Sequence, residues 1–180
     1  MGRIDCGDIA VEKKFEVQLN FLEGNRDIYG VGTWTNLIDE KGNMVGMLKY
    51  PTEYEKIRKV ILRYNPFVHP SLVFRKEMFD EIGLYDESFE FAQDYDLMLR
   101  AVSRFNIVNL PEVLLNYRVS EEAISSRKMK KQEYYALKAR IKALSQYGYP
   151  KLGYFYLLKP SFSFLVPAAL KKYVVRKLWY

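Results

Sequence analysis

Two aspartates stand close together in the stretch "FEFAQDYDLMLR", which then runs into an apolar pattern of helical spacing. If a helix begins near Ala92, Asp94 lies in its first turn, where the positive end of the helix dipole favours an ionised carboxylate. The residues that share its face at i+3, i+4 and i+7 are Leu97, Met98 and Ala101. Asp94 therefore heads a face that should point inward. An ionised carboxylate in this position can accept a proton as a general base, or it can cap the helix.

Asp96 differs from Asp94 because Arg100 follows it at i+4, the spacing at which opposite charges pair on one helix face. We expect this pair on a different face from Asp94. Arg100 either supports the helix that carries Asp94, acting through Asp96, or is simply solvated.

Composition excludes several kinds of site. The 180-residue chain has one cysteine, Cys6, and one histidine, His69, so it cannot form an internal disulfide, a multi-cysteine zinc site or a histidine-based metal cluster. A Ser–His–Asp triad is disfavoured for the same reason. Aromatic residues make up 16% of the chain, which fits either a sugar- or base-binding cleft or a bulky core. The net charge of +6 suits phosphate-bearing partners or an anionic membrane.

Helices and strands alternate along the chain, which predicts an α/β fold. After Asp8, taken as a helix cap, an amphipathic helix should bury Val11, Phe15, Leu19 and Leu22. A second set of predicted elements comprises a strand at 27–38 with a hairpin into "MVGMLKY", a helix at 53–63 around Ile57 and Ile61, the strand "SLVF", and a helix that ends at Gly83. The last elements are a strand-like run "FNIVNLPEVLLNYRV" interrupted by Pro111 and a helix at 127–147 with Leu137, Ile141 and Leu144 buried.

The C-terminal tail has a different character. Residues 152–170 are mostly apolar, but a lysine and two prolines interrupt them, which is weak for a membrane-spanning helix of about 20 apolar residues. Residues 160–180 mix basic and apolar side chains. Such a segment is typical of a helix on an anionic membrane surface, and equally of one that packs on its own domain or a partner. Because the basic residues are dispersed elsewhere, we expect no nucleic-acid partner.

The stretch "NPFVHPSLVFRKEMFDEIGLYDESFEFAQDYDLMLRAVSRFNIVNLPEVLLNYRVSEEAIS" resembles the C-terminal half of the inverting family 2 glycosyltransferases, which have a GT-A fold. The family pattern is an "HPS…R" strand, then "GxYD", then "EDYDLWLR", then "NLPEVLLxYR". Upstream, "RIDCGDIAVEKKFEVQLNFLE" is similar to the segment around the family's metal-binding DxD motif. The resemblance covers residues 3–147 and implies sugar transfer from a nucleotide diphosphate donor to a saccharide or lipid-linked acceptor.

The resemblance assigns the catalytic base to Asp94, since the Asp of the family's "ED" pair falls there and Gln93 replaces the Glu. It also implies Mg²⁺ or Mn²⁺ at the DxD motif. Only Asp5 of that motif is in place, because Gly7 stands where the second aspartate would be, and Asp8 follows. Asp5 and Asp8 could share the ion, or Asp8 could serve only as the helix cap.

Three further positions carry weaker expectations from the resemblance. His69 is expected to line the acceptor cleft, with a structural hydrogen bond as the alternative. Arg118 is expected near the donor diphosphate, with a surface ion pair as the alternative. Trp34 would be a sugar platform or a buried side chain.

The chain lacks the family's nucleotide-binding half, which opens on a strand like "SVIIPxYN". We therefore expect residues 1–150 to form an incomplete GT-A domain, with residues 151–180 as a possible membrane-associated tail. The missing half could be a separate chain, and its absence would leave apolar faces bare. The expected location is the cytoplasm, with a possible peripheral position at the inner face of the membrane. The other interpretation is an inactive transferase remnant that binds a partner protein or a membrane surface.

Overall fold

The computed structural model describes residues 1–119 and 126–157. It has a five-stranded mixed sheet with helices packed around it, as the α/β prediction requires. The strands are β1 (Ile9–Ala10), β2 (Ile28–Ile38), β3 (Met44–Leu48), β4 (Val73–Phe74) and β5 (Asn106–Arg118). The helices are α1 (Lys14–Gly24), α2 (Tyr54–Val60), α3 (Lys76–Ile82), α4 (Gln93–Arg104) and α5 (Ser126–Gln146). A short 3₁₀ turn, His69–Ser71, precedes β4.

The centre of the sheet is the parallel pair β2 and β5, whose register runs from Ile28 opposite Asn106 to Ile38 opposite Arg118. β1 adds to β5, while β3 and β4 both add to β2, all antiparallel. The predicted hairpin is confirmed: Asp39 Oδ1 accepts hydrogen bonds from the backbone amides of Lys41 and Asn43 in the β2–β3 turn.

The sequence predicted that Pro111 interrupts β5, and that prediction is wrong. The strand continues through it, but its pairing with β2 shifts between Thr33, which faces Leu110, and Trp34, which faces Val113. Proline has no amide proton for the ladder, so a local irregularity accommodates it without ending the strand.

The predicted buried face of α1 is wrong. Among the four residues predicted to be buried, only Leu22 is buried, whereas Val11, which precedes the helix, and Phe15 and Leu19 within it are 36–49% exposed. The inward face carries Lys14 and Gln18 instead, both fully buried. The Gln18 amide donates hydrogen bonds of 2.8 Å to the carbonyls of Val31 and Ser71, which fixes this polar face against the sheet.

The predicted inward face of α4 is confirmed, since Leu97, Met98 and Ala101 are completely buried. They belong to a large hydrophobic cluster, which also contains Ile57 and Ile61 of the α2 region. Gly83 ends α3 with φ +74°, a backbone conformation that glycine adopts without strain. The core thus holds α4 rigidly along the length that follows Asp94.

Helix α5 was predicted at nearly the right length, but its predicted inward face is only partly buried, and Leu137 is half-buried. Leu144 is buried, as expected, but Ile141 is 47% exposed, and the small residues Ala139 and Ala143 are fully buried. Alanine allows the backbone of α5 to approach α4 closely. In the parts of the chain that the structure describes, no helix is long and apolar enough to span a bilayer. The basic segment 160–180 lies outside the described residues.

Candidate active site around Asp94

A cavity of about 430 Å³ opens at the start of α4. Asp94, Asp5 and His69 all line it, so the structure brings three of the residues singled out in the sequence into one space. Arg3, Tyr50 and Tyr85 line it as well. A guanidinium, carboxylates and aromatic rings in one cavity suit a polar ligand with both hydroxyl groups and charge.

Asp94 occupies the first turn of α4 and is half-buried. The residue before the helix, Ala92, has φ 58° and ψ 27°, and it is the one non-glycine residue with positive φ in the described part of the chain. A left-handed alanine costs about 1–2 kcal/mol. The side-chain amide of Asn65 donates a 3.3 Å hydrogen bond to Asp94 Oδ2. No side-chain cap bond is found at the start of α4, so Asp94 does not serve as its cap.

The predicted pair of Asp96 and Arg100 is present and faces away from the cavity. Arg100 Nε lies 2.9 Å from Asp96 Oδ2, and the Asp96 side chain is completely buried. Arg100 also donates to the carbonyls of Ile82 and Leu84, which join α4 to the loop after α3. Arg100 is therefore not simply solvated.

Lys142 adds a third contact to this buried carboxylate. Its ammonium lies 3.3 Å from Asp96 Oδ1 and 2.7 Å from Asp86 Oδ2, so α5 is tied both to α4 and to the "GLYD" loop. The hydrogen bond to Lys142 holds the pKa of Asp86 well below its usual range. A buried carboxylate needs such partners to offset the loss of water. These contacts fix the face of α4 that points away from the cavity, whereas Asp94 lies at the cavity.

His69 and Tyr85 share a hydrogen bond of 2.8 Å between Nε2 and the phenol oxygen, with their rings edge to face. Burial lowers the pKa of His69, and Arg3 lowers it further, while the carboxylates of Asp94 and Asp5 act in the opposite direction. His69 is therefore neutral at neutral pH. It combines both expected roles: it makes a structural hydrogen bond and it lines the cavity.

The Asp5–Asp8 segment forms a tight turn in which the Asp8 amide donates to the Asp5 carbonyl at 3.2 Å, with Gly7 at φ +96°. Asp8 does not cap α1, because the cap position is Lys13; its Oδ1 accepts a 2.9 Å bond from the Arg118 amide. The other oxygen, Oδ2, is buried without a hydrogen-bond partner among the described residues. Burial and the nearby Asp5 raise the pKa of Asp8.

This turn fits a divalent cation only in part. An orphaned carboxylate oxygen next to a second carboxylate is the donor chemistry that Mg²⁺ and Mn²⁺ prefer. However, Arg3 Nε already donates a hydrogen bond of 2.6 Å to Asp5 Oδ1. The described residues contain no group of three or more histidine, cysteine, aspartate or glutamate side chains placed to hold a metal. A cation held here would need further ligands from water or substrate.

Arg118 and Trp34 lie outside the lining of the cavity. The Arg118 guanidinium donates to the carbonyls of Gly7, Asp39 and Glu40 at 2.7–2.8 Å, which clamps the Asp5–Asp8 turn to the β2–β3 hairpin. The Trp34 indole donates to the Tyr50 carbonyl at 3.0 Å and is half-buried. Through that bond it supports the backbone of a residue that does line the cavity.

Sequence reasoning missed Asn65, Arg3 and Tyr85. Tyr85 belongs to the "GLYD" motif and could have been singled out from its position there. Asn65 precedes a proline in a loop and Arg3 stands near the start of the chain, and neither has a neighbour in sequence that suggests contact with Asp94 or His69. Only the folded chain brings Arg3 and Tyr85 to the cavity and Asn65 into contact with Asp94.

The chain is similar to proteins that are named glycosyltransferases. The family model "Glycosyltransferase like family 2" matches residues 4–152. An uncharacterized glycosyltransferase, MJ1057 of Methanocaldococcus jannaschii, is 34% identical over 147 residues, 77% of this chain and 49% of the relative. The O-antigen biosynthesis glycosyltransferase WbnJ of Escherichia coli is 35% identical over 126 residues, 68% of this chain and 48% of the relative.

A third relative aligns with nearly the whole chain. The Escherichia coli protein named UDP-Gal:alpha-D-GlcNAc-diphosphoundecaprenol beta-1,3-galactosyltransferase is 27% identical over 184 residues, 98% of this chain and 64% of the relative. The chain thus spans about half to two thirds of the length of these relatives. The match to the family model covers the cavity residues from Asp5 to Asp94, and on this basis the chain belongs to the glycosyltransferase-like family 2.

Proposed function

We propose that the protein transfers a sugar from a nucleotide diphosphate donor to a hydroxyl group of a saccharide or lipid-linked acceptor, with inversion. The observation that carries this proposal is that Asp94 and Asp5 line one cavity, so that a base and an anchor for the diphosphate face the same substrate. Family membership supports the proposed reaction class, and the residues of the cavity support the proposed roles.

In this proposal the Asp94 carboxylate takes the proton of the acceptor hydroxyl, and the acceptor oxygen forms a bond to the anomeric carbon. The bond between that carbon and the diphosphate oxygen breaks on the opposite face, and its electron pair leaves with the nucleoside diphosphate. Attack from the face opposite the leaving group inverts the configuration. Asn65 keeps the Asp94 carboxylate oriented through the bond to Oδ2.

Departure of the diphosphate requires positive charge close to it. Mg²⁺ or Mn²⁺ held by Asp5 and Asp8 would neutralise the leaving group, and the unpartnered Oδ2 of Asp8 supports this assignment. Arg118 is proposed to contribute by holding the turn that carries both aspartates, in addition to any contact with the diphosphate.

The acceptor class is supported by the relatives. The name of the Escherichia coli galactosyltransferase describes an acceptor that is a sugar on a diphosphate lipid, and WbnJ is named for O-antigen biosynthesis. A lipid-linked acceptor would suit association of residues 160–180 with an anionic membrane surface at its cytoplasmic side. Tyr50 and Tyr85 offer aromatic faces to the sugar rings.

Binding of the nucleotide is assigned to a further segment, the nucleotide-binding half that the family resemblance implies. The exposed apolar side chains of Phe15 and Leu19 on α1 are the surface we propose for it, since large apolar side chains grouped on a surface commonly mark a contact with another segment. This surface is separate from the cavity residues of α4.

The test is a transfer assay with a panel of nucleotide sugars, with and without Mn²⁺, on the chain alone and with a nucleotide-binding half restored in front of it. Asp94→Asn should abolish transfer and leave thermal unfolding unchanged. The exposed Asp80→Asn serves as control and should retain activity. Near-normal turnover by Asp94→Asn removes Asp94 from the base role. Absence of transfer by the restored protein favours a non-catalytic binding module.

A further inference from the structure

We propose that a second cavity, on the α5 side of Asp94, binds the sugar unit of the acceptor that lies next to the reacting one. The inference rests on the proposed function, because it assumes that Asp94 faces the acceptor hydroxyl. The cavity has a volume of about 310 Å³. Asp94 and Ala92 line both this cavity and the larger one, so the two spaces meet at the start of α4.

The positions of the two cavities determine the direction in which an acceptor chain can extend from the reaction centre. Asp5 lies in the first cavity and is absent from the lining of the second. If the donor diphosphate is held near Asp5, an acceptor whose hydroxyl contacts Asp94 must extend away from that turn. The second cavity begins at Asp94 itself and offers a path of this kind.

The lining of the second cavity has the chemistry of a saccharide site. Asn65 and Gln132 supply side-chain amides, which donate to and accept from hydroxyl groups. Asn65 Oδ1 is buried with no hydrogen-bond partner among the described residues, so a ligand hydroxyl could donate to it. Tyr64, 41% exposed, presents a ring, and its centroid lies 6.1 Å from that of Tyr50 in the first cavity. An aromatic wall therefore joins the two spaces.

Helix α5 builds the opposite wall with Gln132, Ala136 and Arg140, which recur every four residues on one face. Arg140 is held firmly, because Nε donates to the Leu62 carbonyl and Nη2 to the Arg63 carbonyl. Its charge favours a neutral or anionic sugar over an amino sugar with a free ammonium group. Ala136 has only a methyl group, and this leaves the space open between its two larger neighbours.

The experiment measures binding of saccharide probes to the 180-residue chain by saturation-transfer NMR. The probes are lactose and N,N′-diacetylchitobiose, compared with the methyl glycosides of galactose and N-acetylglucosamine. Both rings of a bound disaccharide should receive saturation. Ala136→Leu, which fills the cavity, should weaken disaccharide binding by about tenfold and leave monosaccharide binding almost unchanged. Tyr134→Leu, an exposed position on the same helix, is the matched control.

Gln132→Ala provides a second variant in case the larger side chain at position 136 disturbs folding, since Gln132 is exposed. It should weaken disaccharide binding by about three- to tenfold, the loss expected for one hydrogen bond. Disaccharide affinity that is unchanged in both variants overturns the proposal, as does absence of disaccharide binding to the folded wild-type chain at millimolar concentration. These outcomes leave the transfer assay on Asp94→Asn untouched, so the subsite and the base role can fail independently.

Discussion

The side-chain amide of Asn65 donates a hydrogen bond of 3.3 Å to Asp94 Oδ2, across 29 positions of sequence. The bond orients one oxygen of a carboxylate that faces a cavity on either side. Asn65 therefore acts on Asp94 as a positioning residue in the proposed reaction.

Asn65→Ala should lower kcat by about 10- to 150-fold, because a hydrogen bond to a charged group contributes about 1.5–3 kcal/mol. The KM for the donor should change little, since Asn65 does not line the cavity that contains Asp5. Steady-state transfer kinetics provide the measurement. Asn25→Ala is the control, because the Asn25 amide makes a similar single bond to the Phe21 carbonyl far from the site. Equal kcat in the two variants would contradict the positioning role.

The pKa of His69 offers a direct probe of the cavity, since His69 is the one histidine in the sequence and its ring protons can be followed by NMR. Its pKa should lie below 6.5, chiefly because the ring is buried. Asp94→Asn should lower it further, since the Asp94 carboxylate favours the protonated ring. Asp80→Asn should have no effect.

The lowered pKa of His69 should make the stability of the fold depend on pH. The unfolded chain binds a proton at His69 more readily than the folded chain does, so the free energy of unfolding should fall as the pH drops below 6.5. His69→Gln should reduce this dependence in denaturant titrations between pH 5 and about 7. A pKa of His69 at or above 6.5 would refute the placement of the ring in a buried setting.

Lys142→Met should destabilise the fold by about 1–3 kcal/mol, because it removes one cationic partner from the buried Asp96 carboxylate and cuts the tie to Asp86. Chemical denaturation measures this change. Lys56→Met is the matched control, since Lys56 pairs with Glu53 where both side chains are more than 60% exposed. Its effect should stay within about 0.5 kcal/mol. Equal effects would show that the Asp96 network contributes no more than a surface pair.

Lys14 is fully buried, and its ammonium has no hydrogen-bond partner among the described residues, although it lies 4.3 Å from the centre of the Phe15 ring. Burial lowers the pKa of Lys14 to about 8 from an ordinary value of 10.5. Between these two pH values Lys14 is protonated in the unfolded chain and has lost its proton in the folded chain. The contribution of Lys14 to the free energy of unfolding should therefore rise with pH.

Lys14→Met should abolish that rise and stabilise the protein at pH 7 by about 1–2 kcal/mol. The exposed neighbour Lys13→Met is the control and should keep the pH dependence of the wild type. Parallel unfolding curves at pH 7, 8 and about 9.5 compare the three proteins before most tyrosines ionise. A loss of stability in Lys14→Met at pH 7 would indicate that the amine has a partner in solution.

The spacing of residues in the sequence correctly predicted much of helix α4, which positions the site. The helical period of Leu97, Met98 and Ala101 correctly identified the buried face of α4, and the i+4 spacing of Asp96 and Arg100 correctly predicted their ion pair. The ordered motifs from "HPS" to "NLPEVLLNYR" indicated the family, and the match to its model confirmed it.

Tertiary structure decided which faces were buried and which distant side chains met. The spacing predicts which residues of α1 share a face. The hydrogen bonds from Gln18 to the carbonyls of Val31 and Ser71 hold the Gln18 face against the sheet, and Phe15 stays exposed. Asn65 contacts Asp94 because of the position of the loop before β4 in the folded chain. Two cavities meet at that carboxylate because of the positions of this loop and helix α5. The reason is physical: periodicity is a property of neighbouring residues, whereas burial and contact depend on partners that are remote in sequence.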